Sequence, residues 1–157
     1  MLPLCVTRFT DETNKQRSQW KTDNKFIGTI YGTPVKINNT IVPEDTIIVL
    51  EMNNTTNKIE GIGVIKNKLY NKKCKIYNDN NYNRYIYKSN YIFNIDQLDR
   101  NEIELLIKIE NILFYGRSNY KRGQGIQRLP KTAQLIDGNK TEHLLNLMIK
   151  KYLNLNI

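Results

Sequence analysis

The sequence predicts an α+β fold in a single domain. Short apolar runs bounded by turn residues in the first two-thirds of the chain are typical of strands, and after Asp96 the apolar residues recur at helical spacing. A length of 157 residues fits one domain. The chain contains no internal repeat and no linker-like segment, so we expect no second domain.

The N-terminal third predicts a strand, a helix and two short strands. Residues 4–9 are rich in apolar and β-branched side chains, which is typical of a strand. Thr10 precedes two acidic residues, a pattern typical of a helix N-cap. We expect that helix to end at about Gln19. Residues 27–31 and 35–37 then predict two short strands, separated by a Gly-Thr-Pro turn.

A β-hairpin is the clearest element of the sequence. Residues 46–51 are almost continuously apolar, 53–57 are Asn and Thr, and 59–65 are apolar again. Gly61 and Gly63 lie inside the second strand of this hairpin. Glycine at such positions indicates a bulge or a close backbone approach.

The second half predicts one or two strands followed by two helices. Residues 70–95 alternate aromatic or apolar residues with polar ones around an Asn-rich loop at 78–83, which is typical of strands with one exposed face. The two predicted helices begin after Asp96 and at Asn139. Their expected buried stripes are Ile103, Leu106, Ile107, Glu110 and Leu113 for the first, and Leu144, Leu145, Met148 and Tyr152 for the second.

The net charge of +9 is concentrated in two segments. Asn (22), Ile (21), Lys (17) and Tyr (10) fill 70 positions, a skew that indicates an A/T-rich genome such as that of a parasite or a large DNA virus. Residues 61–95 nevertheless carry seven basic residues and one acid, and 111–136 carry five basic residues and no acid. Such clustering favours a phosphate-binding surface over a merely solvated one.

Several classes of protein lack the residues they need. No apolar run approaches the ~20 residues of a membrane span. Cys5, Cys74 and His143 cannot supply the four ligands of structural zinc, and two lone cysteines indicate a reducing, intracellular compartment. The first residues turn polar too soon for a secretory signal. We expect no cofactor and no metal.

Catalysis has weak support. A nucleophilic triad would have to recruit His143, which lies in a Leu-rich helical segment. Glu44, Asp45 and Glu51 suggest a metal-dependent nuclease, but Asn53 stands where the lysine of such a site is expected. A nuclease is therefore an alternative hypothesis, and the balance favours a protein that is not an enzyme.

The order of elements resembles the PUA-like superfamily, which includes EVE, ASCH and YTH domains. The resemblance rests on a strand and short helix, then 42–50 (Val-Pro-Glu-Asp-Thr-Ile-Ile-Val-Leu), then 60–65 (Glu-Gly-Ile-Gly-Val-Ile), and it covers about residues 4–66. Glu44-Asp45 replaces the usual Gly-Asp. The segment from Arg8 to Asn24 is similar to the opening of YTH domains, where a Trp-x-Thr element forms one wall of an aromatic cage.

The resemblance implies a small mixed β-barrel flanked by helices that binds RNA or a modified base. In this chain the implied cage residues are Trp20, Thr22 and Asn24. The residues themselves point to the loop at 115–128, where aromatics alternate with cations and glycines allow close approach to a phosphate. Its candidate binding residues are Tyr115, Arg117, Tyr120, Lys121, Arg122, Gly123, Gln124, Gly125 and Arg128, with Gln127 as a further reader of a base edge.

Each of these residues also has a structural interpretation. Trp20 is equally compatible with a core position, the tyrosines of 77–91 with strand packing, and the glycines of the loop with an ordinary turn. A further alternative is a viral accessory or virion protein that binds another protein through its C-terminal helix, with Met148, Tyr152 and Leu153 as the docking face.

Overall fold

The computed structural model describes residues 2–130, 133 and 141–153, apart from the side chains at 142 and 153. The fold is α+β, as the sequence predicts. In chain order its elements are β1 (Leu4–Phe9), α1 (Asp11–Asp23), β2 (Thr29–Thr33), β3 (Thr46–Asn53), β4 (Lys58–Lys66), β5 (Tyr85–Ser89), α2 (Arg100–Phe114), β6 (Gln127–Arg128) and α3 (Thr141–Leu153), with single 3₁₀ turns at Asn80–Asn83 and Ile95–Gln97.

The strands form two sheets. The larger has the order β4-β3-β1-β6, with β1 parallel to β3 and the other neighbours antiparallel. The smaller is the antiparallel β2–β5 ribbon, in which Thr29 faces Ser89 and Thr33 faces Tyr85. Within the described residues the two sheets do not close into a barrel.

The larger sheet lies between two apolar cores because its strands alternate side chains between faces. Leu4 and Val6 of β1 join the core that α2 and α3 cover. Cys5 and Phe9 join the opposite core, which the β2–β5 ribbon covers and against which Trp20 of α1 packs. The fold therefore has three layers, with the parallel pair β1–β3 at its centre.

The β3–β4 hairpin confirms the prediction in detail. The pairing register slips between Glu51 and Met52, which face Gly61 and Ile59, so Glu60 is the extra residue of a β-bulge. A Cβ on Gly61 would overlap the Glu51 carboxylate, and a Cβ on Gly63 would overlap the Tyr31 hydroxyl. Both glycines are therefore required by close packing.

Of the two short strands predicted around residues 32–34, the first is present with different bounds and the second is absent. The chain forms one strand, β2, which runs through Gly32, and 35–37 is not a strand. Gly32 pairs with Ile86 of β5 and lies so close to the Tyr82 carbonyl that a side chain would clash. Glycine is present here because of this contact and does not form the predicted turn.

The predicted buried faces of the two later helices are partly wrong. Ile103 and Ile107 are 44% and 47% exposed, and the buried residues of α2 are Leu105, Leu106, Ile109, Leu113 and Phe114. Eight of the 15 residues of α2 are apolar, so the sequence allows more than one stripe. In α3 the described buried face is Thr141, Leu145, Asn146, Met148 and Ile149, while Leu144 is exposed.

The predicted ends of two helices also differ. The first helix begins as expected at the N-cap Thr10, whose side chain accepts the Thr13 N–H, but it continues to Asp23. Helix α2 begins after Asp99, whose side chain forms a reciprocal capping box with Glu102. The predicted start of the last helix at Asn139 lies outside the described residues.

Candidate functional site

A cavity of about 270 Å³ opens where the end of β1, strand β2 and the loop at 121–125 meet. Thr7, Arg8 and Phe9 line it from β1, and Tyr31 lines it from β2. Further lining comes from the first turn of α1, the hairpin turn and the loop at 76–83. None of the lining residues is an aspartate or a glutamate.

Four aromatic side chains line the cavity. Phe9 and Tyr31 are buried and their ring centroids are 6.3 Å apart, while Tyr77 and Tyr82 meet edge to face at the same distance. Tyr82 is the most accessible of the four, at 38% exposure. This wall is therefore largely aromatic, with Tyr82 as the ring most accessible to a bound molecule.

Asn83 holds the two tyrosines of the 76–83 loop in place. Its Oδ1 accepts the backbone N–H groups of Ile76 and Tyr77 at 3.0 and 2.9 Å, and its Nδ2 donates to the Tyr77 carbonyl at 2.7 Å. A 3₁₀ turn, Asn80–Asn83, then presents Tyr82. The Asn-rich loop therefore positions two aromatic residues that the sequence alone assigns to strand packing.

A buried ion pair fixes Tyr31 at the back of the cavity. Arg17 Nη1 and Nη2 donate to Glu51 Oε1 and Oε2 at 3.0 and 2.8 Å, and the Tyr31 hydroxyl donates to Oε1 at 2.8 Å. The guanidinium of Arg17 also stacks 4.1 Å from the Phe9 ring centroid. Burial raises the pKa of Glu51, but Arg17 and the hydrogen bonds outweigh it, so the net pKa is lowered.

A second arginine, Arg8, lies against the cavity without such a partner. Its Nε donates to the Tyr120 carbonyl at 2.6 Å, but its Nη1 is buried and makes no hydrogen bond. No described carboxylate forms an ion pair with it. Burial lowers the pKa of Arg8 to about 10, which still leaves the side chain cationic at neutral pH.

The basic loop is tied to the rest of the cavity by side chains from distant elements. Asn54 of the hairpin turn donates from Nδ2 to the Lys121 carbonyl at 2.7 Å, and the Tyr120 N–H donates to the Leu113 carbonyl at 2.7 Å. Gly125 has a φ of +69° and packs against Val35, a combination that favours glycine. The loop is therefore held in one conformation against Arg8.

The structure brings five of the predicted binding residues into the cavity wall, namely residues 121–125. Tyr120 contributes its carbonyl to Arg8, while its ring packs against the helix-covered core. Tyr115, Arg117 and Arg128 are exposed and do not line the cavity. Arg128 lies in β6 with Gln127 and donates to the Thr40 carbonyl at 3.4 Å.

The three cage residues implied by the YTH resemblance lie elsewhere. Trp20 is half-buried on α1, where its ring meets Phe26 edge to face with centroids 5.9 Å apart. Thr22 borders a separate shallow surface depression, and Asn24 caps the C-terminus of α1. None of the three lines the cavity beside the basic loop.

Sequence reasoning missed the rest of the wall, including Arg8, Phe9, Tyr31, Tyr77 and Tyr82. Arg8 is the one cation of β1, an otherwise buried or apolar strand, and that break in the pattern was a usable signal. Tyr77 precedes the Asn-rich loop at 78–83 and Tyr82 lies within it, although the sequence alone assigns both to strand packing. Nothing in the sequence links these segments to each other, since Arg8 and Tyr120 are 112 positions apart and Asn54 and Lys121 are 67 positions apart.

The structure does not bring the three carboxylates of the nuclease hypothesis together. Glu51 is bound to Arg17 and Tyr31, whereas Glu44 pairs with Lys68 at the opposite end of β3. Among the described residues no group of three or more His, Cys, Asp and Glu is placed to hold a metal ion. This arrangement offers no convergent acid–base pair.

Two residues of the predicted docking face on the C-terminal helix, Met148 and Tyr152, make contacts inside the fold. Met148 is buried in the helix-covered core, and the Tyr152 hydroxyl donates to the Gln97 carbonyl at 2.9 Å while its ring packs on Phe93. The side chain of Leu153 lies outside the described residues. Within the described chain, no helix has the length and apolar character needed to cross a membrane.

Comparisons with known proteins find no relative: no protein-family model, no curated protein and no solved structure matches the chain. The fold and the cavity define it as a small α+β domain with a basic, aromatic-lined cavity. Its function therefore has to be argued from the site.

Proposed function

We propose that the chain is a nucleic-acid-binding module that holds one base in the cavity and the adjoining backbone along the basic loop. The observation that carries this proposal is the composition of the cavity wall. Four aromatic rings and the cations Arg8, Lys121 and Arg122 line it, and no carboxylate does. A small anionic molecule with a planar ring is the ligand class that matches such a wall.

The aromatic part of the wall supports base binding. Stacking of one base on an aromatic side chain contributes about 1–3 kcal/mol and tolerates any base, because every base has a π-face. A volume of about 270 Å³ is small for a ligand pocket and suits a single ring system. The cavity therefore favours one splayed-out base over an extended stack.

The charge pattern supports contact with a phosphate backbone. Of the two basic segments, 111–136 supplies the cavity cations Lys121 and Arg122, whereas 61–95 reaches the cavity through Tyr77 and Tyr82. Arg122 is exposed where it lines the cavity, and Arg117 is a further exposed cation of the same basic segment. Neutralising phosphates there would release counterions and make binding salt-dependent.

A single-stranded RNA or a modified base fits better than duplex DNA. A base stacked inside a duplex cannot enter a cavity, whereas the bases of single strands and loops can be splayed out. The PUA-like relationship is part of the same proposal. It is supported by the order of strand, helix and hairpin. The proposed pocket is the cavity lined by Tyr31 and Tyr82, which does not include the Trp20 that the resemblance implies.

Fluorescence anisotropy with labelled single-stranded RNA and DNA, at two salt concentrations, tests the proposal. We expect log affinity to fall linearly with log salt. The double variant Lys121→Ala/Arg122→Ala should weaken binding and flatten that slope by about 0.7 for each phosphate that is no longer neutralised. The matched control is Arg100→Ala/Lys151→Ala, which removes two cations beside the helix-covered side of the sheet.

Two results would contradict the proposal. One is salt-independent binding or no binding of any oligonucleotide. The other is an equal loss of affinity in the Arg100/Lys151 control, since that would indicate a diffuse charge effect without a site.

A further inference from the structure

Two largely buried arginine side chains lie near Phe9 and differ in one respect. Arg17 meets the Glu51 carboxylate through two hydrogen bonds. Arg8 has the Tyr120 carbonyl as its one hydrogen-bond acceptor and no carboxylate partner among the described residues. A largely buried cation without an anionic partner is unfavourable. The free protein therefore has a cationic group that an external anion would stabilise.

The loop beside Arg8 has free donors as well. The backbone N–H groups of Gly123, Gln124 and Gly125 donate to no described atom, although the neighbouring Lys121 N–H is bound to Asn119. Successive free N–H groups on a glycine-containing loop are a common anion-binding arrangement. All three residues line the same cavity as Arg8.

Gly123 brings these two donor sets together. A Cβ on Gly123 would overlap the Arg8 guanidinium, so the glycine backbone lies directly against the planar head of that side chain. The Asn54 amide and the Tyr120 carbonyl fix the loop in this position. These hydrogen bonds hold the loop at 121–125 against Arg8 in the folded protein.

We infer that Arg8 and the backbone N–H groups of residues 123–125 form a binding site for one phosphate group inside the cavity. The inference rests on the proposed function and adds that a phosphate group of the ligand is bound by Arg8 and this loop. A guanidinium offers paired donors that match phosphate oxygens, and it is weakly hydrated enough to act when buried. Lys121 and Arg122 at the rim add charge for a dianion.

Two kinds of phosphate group would be recognised by the same donors. The group is either the terminal phosphate of a nucleotide or strand end, or a phosphodiester inside a strand. A terminal phosphate enters the cavity from one side, whereas a phosphodiester requires the strand to pass through the mouth. Oligonucleotides with and without a 5′- or 3′-phosphate distinguish the two.

Isothermal titration calorimetry with inorganic phosphate, at constant ionic strength set with chloride, tests the site. We expect Arg8→Gln to weaken phosphate binding roughly ten- to hundredfold and Arg8→Lys to restore only part of it. The matched control Arg84→Gln removes an exposed arginine that stacks on Tyr85 outside the cavity, and it should bind phosphate like the parent protein.

A measurement on the unaltered protein covers the case in which the Arg8 variants do not fold. In a ¹H–¹⁵N spectrum, phosphate should shift the amide resonances of Gly123 and Gly125 and leave Gly116 unchanged. Gly116 belongs to the same basic segment, but a Cβ at that position would meet no atom within 4 Å, so it lies on open surface. Equal shifts at all three glycines, or none, would overturn the inference.

The outcomes separate this inference from the proposed function. Phosphate binding that disappears in Arg8→Gln, together with no oligonucleotide binding, would support the phosphate site and contradict the nucleic-acid module. Salt-dependent oligonucleotide binding that is the same in Arg8→Gln and in the parent would support the module and contradict the phosphate site.

Discussion

Arg8 Nε donates to the Tyr120 carbonyl at 2.6 Å, which joins the end of the first strand to a loop 112 residues later. This contact, with the Asn54 bond to the Lys121 carbonyl, turns a surface loop into one wall of a cavity. The opposite wall is aromatic and is held by Asn83 and by the Arg17–Glu51 pair. Substitutions at these positions should therefore affect the fold and the site in distinct ways.

Glu51→Gln should strongly destabilise the protein. The substitution leaves the side chain the same size but removes the charge that compensates buried Arg17, so we expect a loss of about 3–5 kcal/mol in the free energy of unfolding. Urea denaturation measures it. The control is Arg100→Ala, which breaks a surface pair whose arginine is 92% exposed and should cost less than about 1 kcal/mol. Similar losses for both variants would contradict the argument.

The same pair makes stability depend on pH. Because the pKa of Glu51 is lowered in the folded protein, its ionised form stabilises the fold above the ordinary glutamate pKa of 4.5. That contribution is lost as the pH falls through the lowered value. The difference in stability between the parent protein and Glu51→Gln, measured by urea denaturation from about pH 7 to about pH 3, should therefore shrink with acidification. A constant difference would argue against an ionised Glu51.

Gly63→Ala should destabilise the fold because the added methyl would overlap the Tyr31 hydroxyl. We expect a loss of about 1–3 kcal/mol, typical of overpacking. Tyr31→Phe removes that hydroxyl, at the cost of its bond to Glu51. In a double-mutant cycle the two substitutions together should therefore cost less than their sum. Strict additivity would show that the clash is relieved elsewhere.

Tyr82→Ala should weaken oligonucleotide binding, because Tyr82 is the exposed ring of the cavity wall. Loss of one stacked base corresponds to about 1–3 kcal/mol, or roughly five- to 150-fold in affinity. Trp20→Ala should leave affinity nearly unchanged, since Trp20 does not line the cavity. Anisotropy titrations measure both. The reverse pattern would favour the Trp20 cage that the YTH resemblance implies.

Local signals in the sequence predicted the elements whose contacts are close along the chain. The Thr10 cap and the β3–β4 hairpin with its bulge both follow from residues close along the chain. The α2 face could not be chosen from the sequence, because apolar residues surround most of that helix. Propensity and periodicity do not report which partner a helix will meet.

The part of the candidate site that could be predicted from the sequence is also the part whose residues are consecutive. The basic glycine loop was recognisable because its aromatic, cationic and glycine residues are consecutive. Its partner Arg8 and the aromatic wall of Tyr31, Tyr77 and Tyr82 come from separate segments that only the tertiary fold assembles. A cavity adjoins this loop, and its aromatic residues are Phe9, Tyr31, Tyr77 and Tyr82 and not the expected Trp20.

Photocrosslinking tests the central proposal, that the cavity binds a base, most directly. A single-stranded RNA that carries 4-thiouridine is irradiated in complex with the protein, and the crosslinked residues are identified by mass spectrometry. We predict crosslinks at Tyr82 and Tyr77 that disappear when excess unlabelled RNA is added. Crosslinks confined to Trp20, or to the exposed lysines at 66–75, would contradict the proposal.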